Sequence, residues 1–374
     1  MSVSRPLAVL ASLALLPLGL ALGSPAVADP ETVPGGPWPG QENVNAIRSY
    51  DQLWKTLETI DGRAQGRFDL EAAPLPSNTG REIPVVTLGD GPTSLMLIAN
   101  QHGNEYVVSE AMVEVVRSLS GGSAHAREVR DALTLTIVPR VNVDGFDADV
   151  TDLSGDTTPW RQNYDTECAA FCEFYEEGRG YDINRYHSYS ANAYDHPYQP
   201  GEDSDNPVPE AITMRLLWDE RQPELVVDFH HQGTYVDEEG RMITGSIMWP
   251  NAEAEAERLG IAEQFAETVV DSKRAVSQMV TALEGKGYAN ITRYPSTEFP
   301  GIARNAYGLL GSASVLYEAR GGIGAASNGY ITQQTIVAAE SVVDAAADGS
   351  LWTASTAPAD ALRERGPYVS DPHE

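Results

Sequence analysis

Metal-binding side chains follow two short apolar segments of the 374-residue chain. His102 and Glu105 lie three residues apart directly after residues 94–100 (SLMLIAN), and His230 follows residues 224–229 (ELVVDF). Imidazole nitrogens and carboxylate oxygens are ligands of zinc, and three protein ligands leave a fourth position for water. His102 and Glu105 alone would also fit a helix start, where Glu105 would interact with the helix dipole. His230 after a second apolar segment favours a metal site with these three ligands.

These residues belong to a wider pattern in which chemically active side chains follow segments typical of buried strands. The strand segments are residues 94–100, 133–141, 224–229 and 313–317. Each is followed at once by polar residues, and Glu318 ends the last of them. Ligands of α/β sheets bind beyond the carboxyl ends of the strands. The sequence therefore predicts that the metal ligands and Glu318 gather at one edge of a sheet.

Helix-like segments alternate with these strands. They are residues 44–61, 105–119, 207–219, 252–286 and 332–347. Strands that alternate with helices are typical of an α/β fold with a largely parallel sheet. No linker divides this region, so the sequence predicts a single α/β domain, with a mixed, mostly parallel twisted sheet flanked by helices.

Composition and charge exclude several classes of protein. The chain has 54 Asp and Glu residues against 25 Lys and Arg, a formal net charge of −29. This charge repels phosphate backbones, so nucleic acid is not expected as a partner. Hydrophobic residues make up 42%, enough to bury a large core. Two cysteines are too few for a disulfide-built miniprotein or a cysteine-rich zinc module.

The first 28 residues predict a secretory signal peptide. One positive charge, Arg5, precedes an apolar run, and residues 26–28 (AVA) form a small-x-small cleavage signature. A retained membrane anchor is the alternative, but the apolar run is short for a spanning helix. We therefore expect cleavage after Ala28, a secreted, extracellular protein, and no membrane association after cleavage.

Cys168 and Cys172 are predicted to form a local disulfide. Cysteines of secreted proteins tend to pair. A spacing of four residues permits a bridge where the segment is turned or helical, because the two Cα atoms must approach within roughly 7 Å. No histidine lies nearby in the sequence, which argues against a zinc site at this pair.

Further motifs, in a characteristic order, give the chain a resemblance to a known family. Over roughly residues 45–345 the chain resembles the zinc carboxypeptidases, the metallopeptidases that include the pancreatic digestive enzymes. The matching positions are His102 and Glu105, residues 142–145 (NVDG), Trp160 and Arg161, residues 182–185 (DINR), residues 228–230 (DFH), and Glu318. Val143 replaces the family's proline, and Asn104 stands where the family often has arginine. The resemblance implies the carboxypeptidase fold and one bound Zn²⁺ ion.

The resemblance also implies roles for the side chains around the metal. Glu318 would be the catalytic general base and acid. Arg161, also catalytic, would stabilise the oxyanion that forms during hydrolysis. Asn184 and Arg185 would bind the terminal carboxylate of a substrate, for which the planar guanidinium is suited.

Two more positions follow from the same resemblance. Asp182 would orient His102, since metal-bound histidines usually donate their other ring N–H to a carboxylate or carbonyl. The family also uses a mobile tyrosine near the scissile bond. Tyr294, which lies 24 residues before Glu318, matches it as a substrate-binding residue, and Tyr307 is the competing candidate.

Together these observations predict a secreted zinc-dependent carboxypeptidase. It would act as a monomer on peptides with a free C-terminal carboxylate, with Glu318 as the general base and acid. The expected organisation is a signal peptide (1–28), a flexible lead-in (29–44), a catalytic domain (45–350) and a C-terminal tail (351–374).

Two other functions stay open at this point. The sequence HGNE at residues 102–105 also occurs in related zinc deacylases that act on acylated aspartate or succinylated glutamate, so an amidohydrolase of the aspartoacylase or succinylglutamate desuccinylase type is one alternative. The other is a secreted peptide-binding protein with a catalytically dead site. Secretion, Trp160-Arg161 and the NVDG turn favour the peptidase.

Overall fold

The structure, a computed structural model, describes residues 44–147, 159–165, 180–187, 206–321 and 327–369. The strands in these ranges are β1 (Phe68–Ala72), β2 (Pro84–Leu88), β3 (Thr93–Ala99), β4 (Leu133–Val138), β5 (Leu225–Gln232), β6 (Gly245–Met248), β7 (Ile291–Arg293) and β8 (Ala313–Arg320). The α-helices are α1 (Tyr50–Asp61), α2 (Val107–Leu119), α3 (Ala124–Ala132), α4 (Val143–Asp147), α5 (Pro209–Arg221), α6 (Glu253–Leu259), α7 (Ala262–Glu284), α8 (Ala303–Leu309), α9 (Asn328–Ala347) and α10 (Ala357–Asp360). Short 3₁₀ turns span Ile183–Arg185 and Leu351–Thr353.

All eight strands form one mixed sheet in the order β1-β2-β4-β3-β5-β8-β6-β7. The central strands β4, β3, β5 and β8 are parallel, whereas β1, β2 and β6 pair antiparallel with their inner neighbours. The predicted single α/β domain with a mixed sheet between helices is confirmed. The four central strands coincide with the four apolar segments, so the residues that follow them lie at one edge of the sheet.

Helices cover both faces of the sheet because the central strands are apolar on both sides. Val227 and Phe229 belong to the core cluster that also contains buried residues of α2, α7 and α9. Val226, on the opposite face of β5, packs in a second cluster with residues of α5 and α8. Side chains alternate along a strand, so Asp228, His230 and Gln232 share the face of Val226.

Some elements differ from the sequence-based expectation. The segment 252–286, for which the sequence allowed one long helix or two, is two helices, α6 and α7, because Gly260 ends α6 in a left-handed conformation with φ of +75°. The strands β1, β6 and β7 were not predicted; they are only three to five residues long. Among the described helices, none is long and apolar enough to cross a membrane.

Several predictions concern residues outside the described ranges. They are the signal peptide at 1–28, the lead-in at 29–44 apart from its last residue, and the disulfide between Cys168 and Cys172. These stay predictions.

Residues 351–374 were predicted to be a C-terminal tail. The described part of this segment, residues 351–369, packs on the domain. Leu351 and Ala359 are fully buried in the larger core cluster. The backbone N–H of Arg293, at the end of β7, donates to the carbonyl of Arg363 (2.7 Å). Residues 351–369 are therefore a structural part of the domain.

Candidate metal centre and active site

His102, Glu105 and His230 come together at the carboxyl edge of the central strands. One ligand atom from each lies within 4.8 Å of the others, and all three residues are buried. Nδ1 of His102 lies 2.8 Å from Oε1 of Glu105, and Nδ1 of His230 lies 2.7 Å from Oε2 of the same carboxylate. The two Nδ1 atoms are 3.1 Å apart. Both imidazoles thus turn the same nitrogen towards one carboxylate.

The loop between β3 and α2 holds the first two of these residues in a tight turn. Asn100 has φ of +57°, and its side-chain amide donates to the carbonyl of His102 (2.5 Å). Gly103 packs directly against the backbone of two neighbouring segments. A Cβ at this position would lie 2.3 Å from the carbonyl carbon of Gly145 and 2.4 Å from the carbonyl oxygen of Trp160. The glycine allows the loop to press against the NVDG turn, which sets the direction of His102 and Glu105.

A carboxylate fixes the outer nitrogen of each imidazole. Nε2 of His102 donates to Oδ1 of Asp182 (2.9 Å), and Nε2 of His230 donates to Oδ2 of Asp228 (2.7 Å). The role of Asp228 was not foreseen, although its position two residues before His230 on one strand was a readable signal. Burial opposes charge on the ring, but Asp228 and Glu105 raise the pKa of His230 well above its usual value.

The charges in this cluster favour a cation between the ligands. Burial would raise the pKa of Glu105, but His102 and His230 hold it well below its usual range. Burial has the same effect on Asp182, and there Arg161 and His102 hold the pKa well below its usual range. The carboxylates therefore stay ionised. The negative charges that raise the pKa of His230 also favour a divalent cation held by these ligands.

Arg161 lies beside the metal centre. Its Nη2 and Nε donate to Oδ2 of Asp182 (2.9 and 3.2 Å), and its Nη1 donates to Oε1 of Glu105 (3.4 Å). Arg161 also lines a cavity next to the metal centre, together with Glu105 and Glu318. Arg161 therefore lies between the carboxylates of the metal centre and the cavity.

Asn184 and Arg185 lie on the 3₁₀ turn after Asp182. Asn184 is buried; its Nδ2 donates to Oδ2 of Asp228 (3.3 Å), and its Oδ1 accepts from the backbone N–H of Ala303 (2.7 Å). Arg185 is partly exposed and donates to the carbonyl of Asn184 (2.9 Å). Asn184 thus ties the 3₁₀ turn to β5 and α8, and Arg185 remains near the surface.

Glu318 faces the metal centre from the neighbouring strand, where its Cα is paired with that of His230. The residue is 7% exposed, and its buried Oε2 has no hydrogen-bond partner among the residues that the structure describes. Burial and the negative charge of Glu105 raise the pKa of Glu318 to about 8, against the opposing charges of His230 and Arg161. This is a carboxyl group able to exchange a proton near neutral pH.

The two candidate tyrosines have different surroundings. Tyr294 lines the same cavity as Glu318. The charge of Glu318 and burial raise the pKa of Tyr294 to about 12, so the phenol stays protonated. Tyr307 is fully buried on α8, and its hydroxyl lies 3.1 Å from Nδ1 of His187.

A cavity of about 490 Å³ opens above the metal centre. Its lining includes two residues that the sequence analysis did not single out, Arg365 and Tyr368, both from the segment that was expected to be a tail. His231 also lines it, and its backbone N–H donates to Oε2 of Glu105 (3.1 Å). Nothing in the local sequence around Arg365 marks it as a cavity residue, because only the packing of the C-terminal segment brings it there.

The donor set fits a zinc ion. Two imidazole nitrogens and one carboxylate are the protein ligands of several catalytic zinc sites. The carboxylates of Asp182 and Asp228 hold both rings with Nδ1 facing inward, as the outer hydrogen bonds of metal-bound histidines usually do. The cluster borders a cavity, which leaves a side open to substrate.

Comparisons with known proteins agree with this geometry. A family model described as zinc carboxypeptidase matches residues 76–334. None of the curated proteins matches significantly. Solved structures with a similar fold include bovine thrombin-activatable fibrinolysis inhibitor in complex with tick carboxypeptidase inhibitor, at 14% identity and a TM-score of 0.56, covering 81% of this chain and 98% of that chain.

Two further structures show the same relationship. A metallo-carboxypeptidase from Burkholderia cenocepacia is 15% identical with a TM-score of 0.52, covering 81% of this chain and 70% of that chain. Carboxypeptidase A from Helicoverpa armigera is 18% identical with a TM-score of 0.52, covering 80% of this chain and 74% of that chain. At these identities the likeness shows the fold.

Proposed function

Because this chain belongs to the zinc carboxypeptidase family, we propose that it is a secreted zinc-dependent carboxypeptidase that removes the last residue from peptides. The observation that carries the proposal is the position of Glu318. Its unpartnered oxygen is buried at a cavity that Glu105 and Arg161 also line, next to a cluster of two histidines and one glutamate. A binding protein without catalysis would not require such a carboxyl group.

His102, Glu105 and His230 would hold one zinc ion. When bound, the zinc would act as a Lewis acid that makes water nucleophilic near neutral pH. Asp182 and Asp228 would keep both imidazoles in the orientation that the ion needs.

Glu318 would carry the proton during hydrolysis. As a base it takes a proton from the attacking water, whose hydroxyl joins the carbonyl carbon of the last peptide bond. As an acid it returns the proton to the leaving nitrogen when the C–N bond breaks. Its raised pKa, about 8 through burial and the charge of Glu105, keeps both directions of transfer accessible.

Three other side chains would bind and polarise the substrate. Arg161 would stabilise the oxyanion, with a contribution of about 3 kcal/mol by comparison with other oxyanion donors. Arg185, on the turn that Asn184 anchors, would bind the terminal carboxylate. Tyr294 would donate its phenolic proton in a hydrogen bond near the scissile bond.

The test is digestion of a peptide mixture with the zinc-loaded protein, followed by mass spectrometry. We expect ladders that shorten one residue at a time from the C-terminus, no shortening after chelation, and recovery when zinc returns. Glu318→Gln should keep the metal but lose at least about a hundredfold in rate. Near-full activity of this variant would refute the mechanism.

Two outcomes would replace the proposal with another function. Hydrolysis of N-acyl aspartate or N-succinyl glutamate, with peptides left intact, would indicate a deacylase. Tight peptide binding without product, in zinc-loaded protein, would indicate a binding protein. Secretion has its own test: N-terminal sequencing of protein from the culture medium should begin at Asp29.

A further inference from the structure

A C-terminal segment outside the family-matched region forms part of the cavity wall. This segment, residues 363–369, pairs with two strand ends of the domain. The N–H of Arg365 donates to the carbonyl of Arg293 (2.8 Å), and the N–H of Val369 donates to the carbonyl of Thr234 (2.9 Å). Gly366 permits the contact, because a Cβ there would lie 2.2 Å from the carbonyl oxygen of Val236. Backbone hydrogen bonds and close packing therefore hold the segment against the domain.

Arg365 is the cation that this segment presents to the cavity. Its guanidinium carbon lies 3.6 Å from the ring centroid of Tyr235 and 4.4 Å from that of Tyr294. Its Nη1 donates to the neutral side-chain oxygen of Gln232 (2.9 Å), and its buried Nε has no partner among the described residues. Within the described part of the chain, no carboxylate pairs with Arg365.

Arg304 likewise has no carboxylate partner among the described residues, but it donates to Asn251 and to the carbonyl of Thr297 and does not line the cavity. Two other nearby arginines are paired with carboxylates. Arg161 is bound to two carboxylates, those of Asp182 and Glu105. Arg363, on the same segment, faces away from the cavity and pairs with Glu239. Arg365 is held rigidly between two aromatic rings, yet its charge is not balanced by an ion pair. The carboxyl of Glu318, which lines the same cavity, interacts with Arg365 electrostatically but forms no ion pair with it among the described residues. The guanidinium can therefore still bind a further anionic group.

The position of Arg365 relative to the metal centre indicates which part of a substrate it would meet. Asp228, His230 and Gln232 alternate along one face of β5. Asn184, which precedes Arg185, contacts Asp228 at one end, and Arg365 contacts Gln232 at the other. Asn184, the neighbour of Arg185 in the chain, and the guanidinium of Arg365 therefore contact β5 on opposite sides of His230.

We propose that Arg365 is a substrate-binding residue that selects an acidic side chain on the amino-terminal side of the scissile bond. The inference rests on the proposed function, in which Arg185 binds the terminal carboxylate. The peptide must then run past the metal centre towards Arg365. A glutamate or aspartate within two residues of the bond would bind the guanidinium through charge-assisted hydrogen bonds.

The test uses matched peptides that differ only in charge: acetyl-Ala-Glu-Leu against acetyl-Ala-Gln-Leu, and acetyl-Glu-Ala-Leu against acetyl-Gln-Ala-Leu. For at least one pair, wild-type protein should hydrolyse the Glu peptide with a kcat/KM about ten- to a hundredfold higher. Arg365→Gln should abolish that preference by slowing only the Glu peptide, and Arg365→Lys should keep part of it.

A matched control separates recognition from loosening of the segment. Arg363→Gln breaks an ion pair of the same segment without touching the cavity, and it should leave the preference unchanged. Equal loss on Glu and Gln peptides in Arg365→Gln would overturn the proposal, as would the absence of a preference in both wild-type pairs.

A binding measurement distinguishes failure of this inference from failure of the proposed function. Calorimetric titration of the same peptides into zinc-loaded Glu318→Gln protein reports affinity without turnover. Tighter binding of Glu peptides that Arg365→Gln removes supports the inference even if wild-type protein hydrolyses none of them. Equal binding of Glu and Gln peptides would contradict it even if hydrolysis is rapid.

Discussion

Nε2 of His230 lies 2.7 Å from Oδ2 of Asp228, two residues earlier on the same strand. Residues two apart on a strand point to the same side, so β5 alone supplies both a candidate ligand and the carboxylate that orients it. His102 depends instead on Asp182, which lies 80 residues away in the sequence. One half of the metal centre is thus local to a strand, and the other half depends on tertiary packing.

Removal of the Asp228 carboxylate, which orients His230, should weaken zinc binding. We expect Asp228→Ala to lower the zinc affinity about 10- to 100-fold, because the His230 ring loses the carboxylate that orients it. Asp228→Asn should lose less, since an amide oxygen still accepts the hydrogen bond. Competition with a chromophoric chelator measures the zinc affinity of both variants.

The control for this pair is Asp69→Asn. Asp69 is exposed on β1 and forms a surface ion pair with Arg67. The Asp69→Asn variant should therefore bind zinc as tightly as wild type. Unchanged affinity in folded Asp228→Ala protein would show that the carboxylate does not support the site.

Gly103 offers a second test of how the ligand loop is held. Gly103→Ala places a Cβ within 2.4 Å of the backbone of two neighbouring turns, so the loop must move His102 and Glu105. We expect a more than tenfold loss of zinc affinity and a loss of about 1–3 kcal/mol in the free energy of unfolding. Calorimetry and denaturant titration measure the two quantities.

Gly329 is the matched control, because a Cβ there would have no atom of the described residues within 4 Å. Gly329→Ala, near the start of α9, should keep wild-type zinc affinity and gain at most about 1 kcal/mol in stability. If Gly103→Ala binds zinc as well as Gly329→Ala does, the close packing of the loop does not position the ligands.

The parts of the site that the sequence made predictable are those tied to single strands. His102, Glu105 and Glu318 follow short apolar runs, which are typical of buried central strands of an α/β sheet when they alternate with helix-like segments. Parallel strands bring their carboxyl ends to the same edge, so the convergence followed from local pattern. His230 follows the same logic on β5.

The rest depends on contacts that no local pattern encodes. Strand β7 has three residues, too few for an alternating pattern. Arg365 follows a polar, proline-containing stretch whose composition is that of a loop, and its place beside Tyr294 arises from backbone pairing with Arg293. The fit of Gly366 against Val236 becomes visible only in three dimensions.

Glu210 should make the stability of the protein depend on pH. It is fully buried on α5 and accepts a hydrogen bond from Asn163 (2.8 Å), yet burial raises its pKa to about 7 from an ordinary 4.5. Between these values the unfolded chain releases a proton that the folded protein keeps. The free energy of unfolding therefore falls as the pH rises through this window, by up to about 3 kcal/mol.

Glu210→Gln should flatten this dependence, because the amide does not titrate. Unfolding by guanidinium at pH 5 and pH 8 compares the variant with wild type. Glu220→Gln, an exposed position on the same helix, should keep the wild-type slope. A slope in Glu210→Gln as steep as that of wild type would assign the pH dependence to other groups.

Tyr294 and Tyr307 can be separated by removing one hydroxyl at a time. Tyr294 lines the cavity beside Glu318, so Tyr294→Phe should lower kcat/KM for peptides about tenfold while leaving the free energy of unfolding unchanged. Tyr307→Phe removes a buried hydroxyl 3.1 Å from His187 and should cost about 1–2 kcal/mol of stability with little change in turnover. The opposite result, lost activity in Tyr307→Phe and none in Tyr294→Phe, would move the substrate contact to α8.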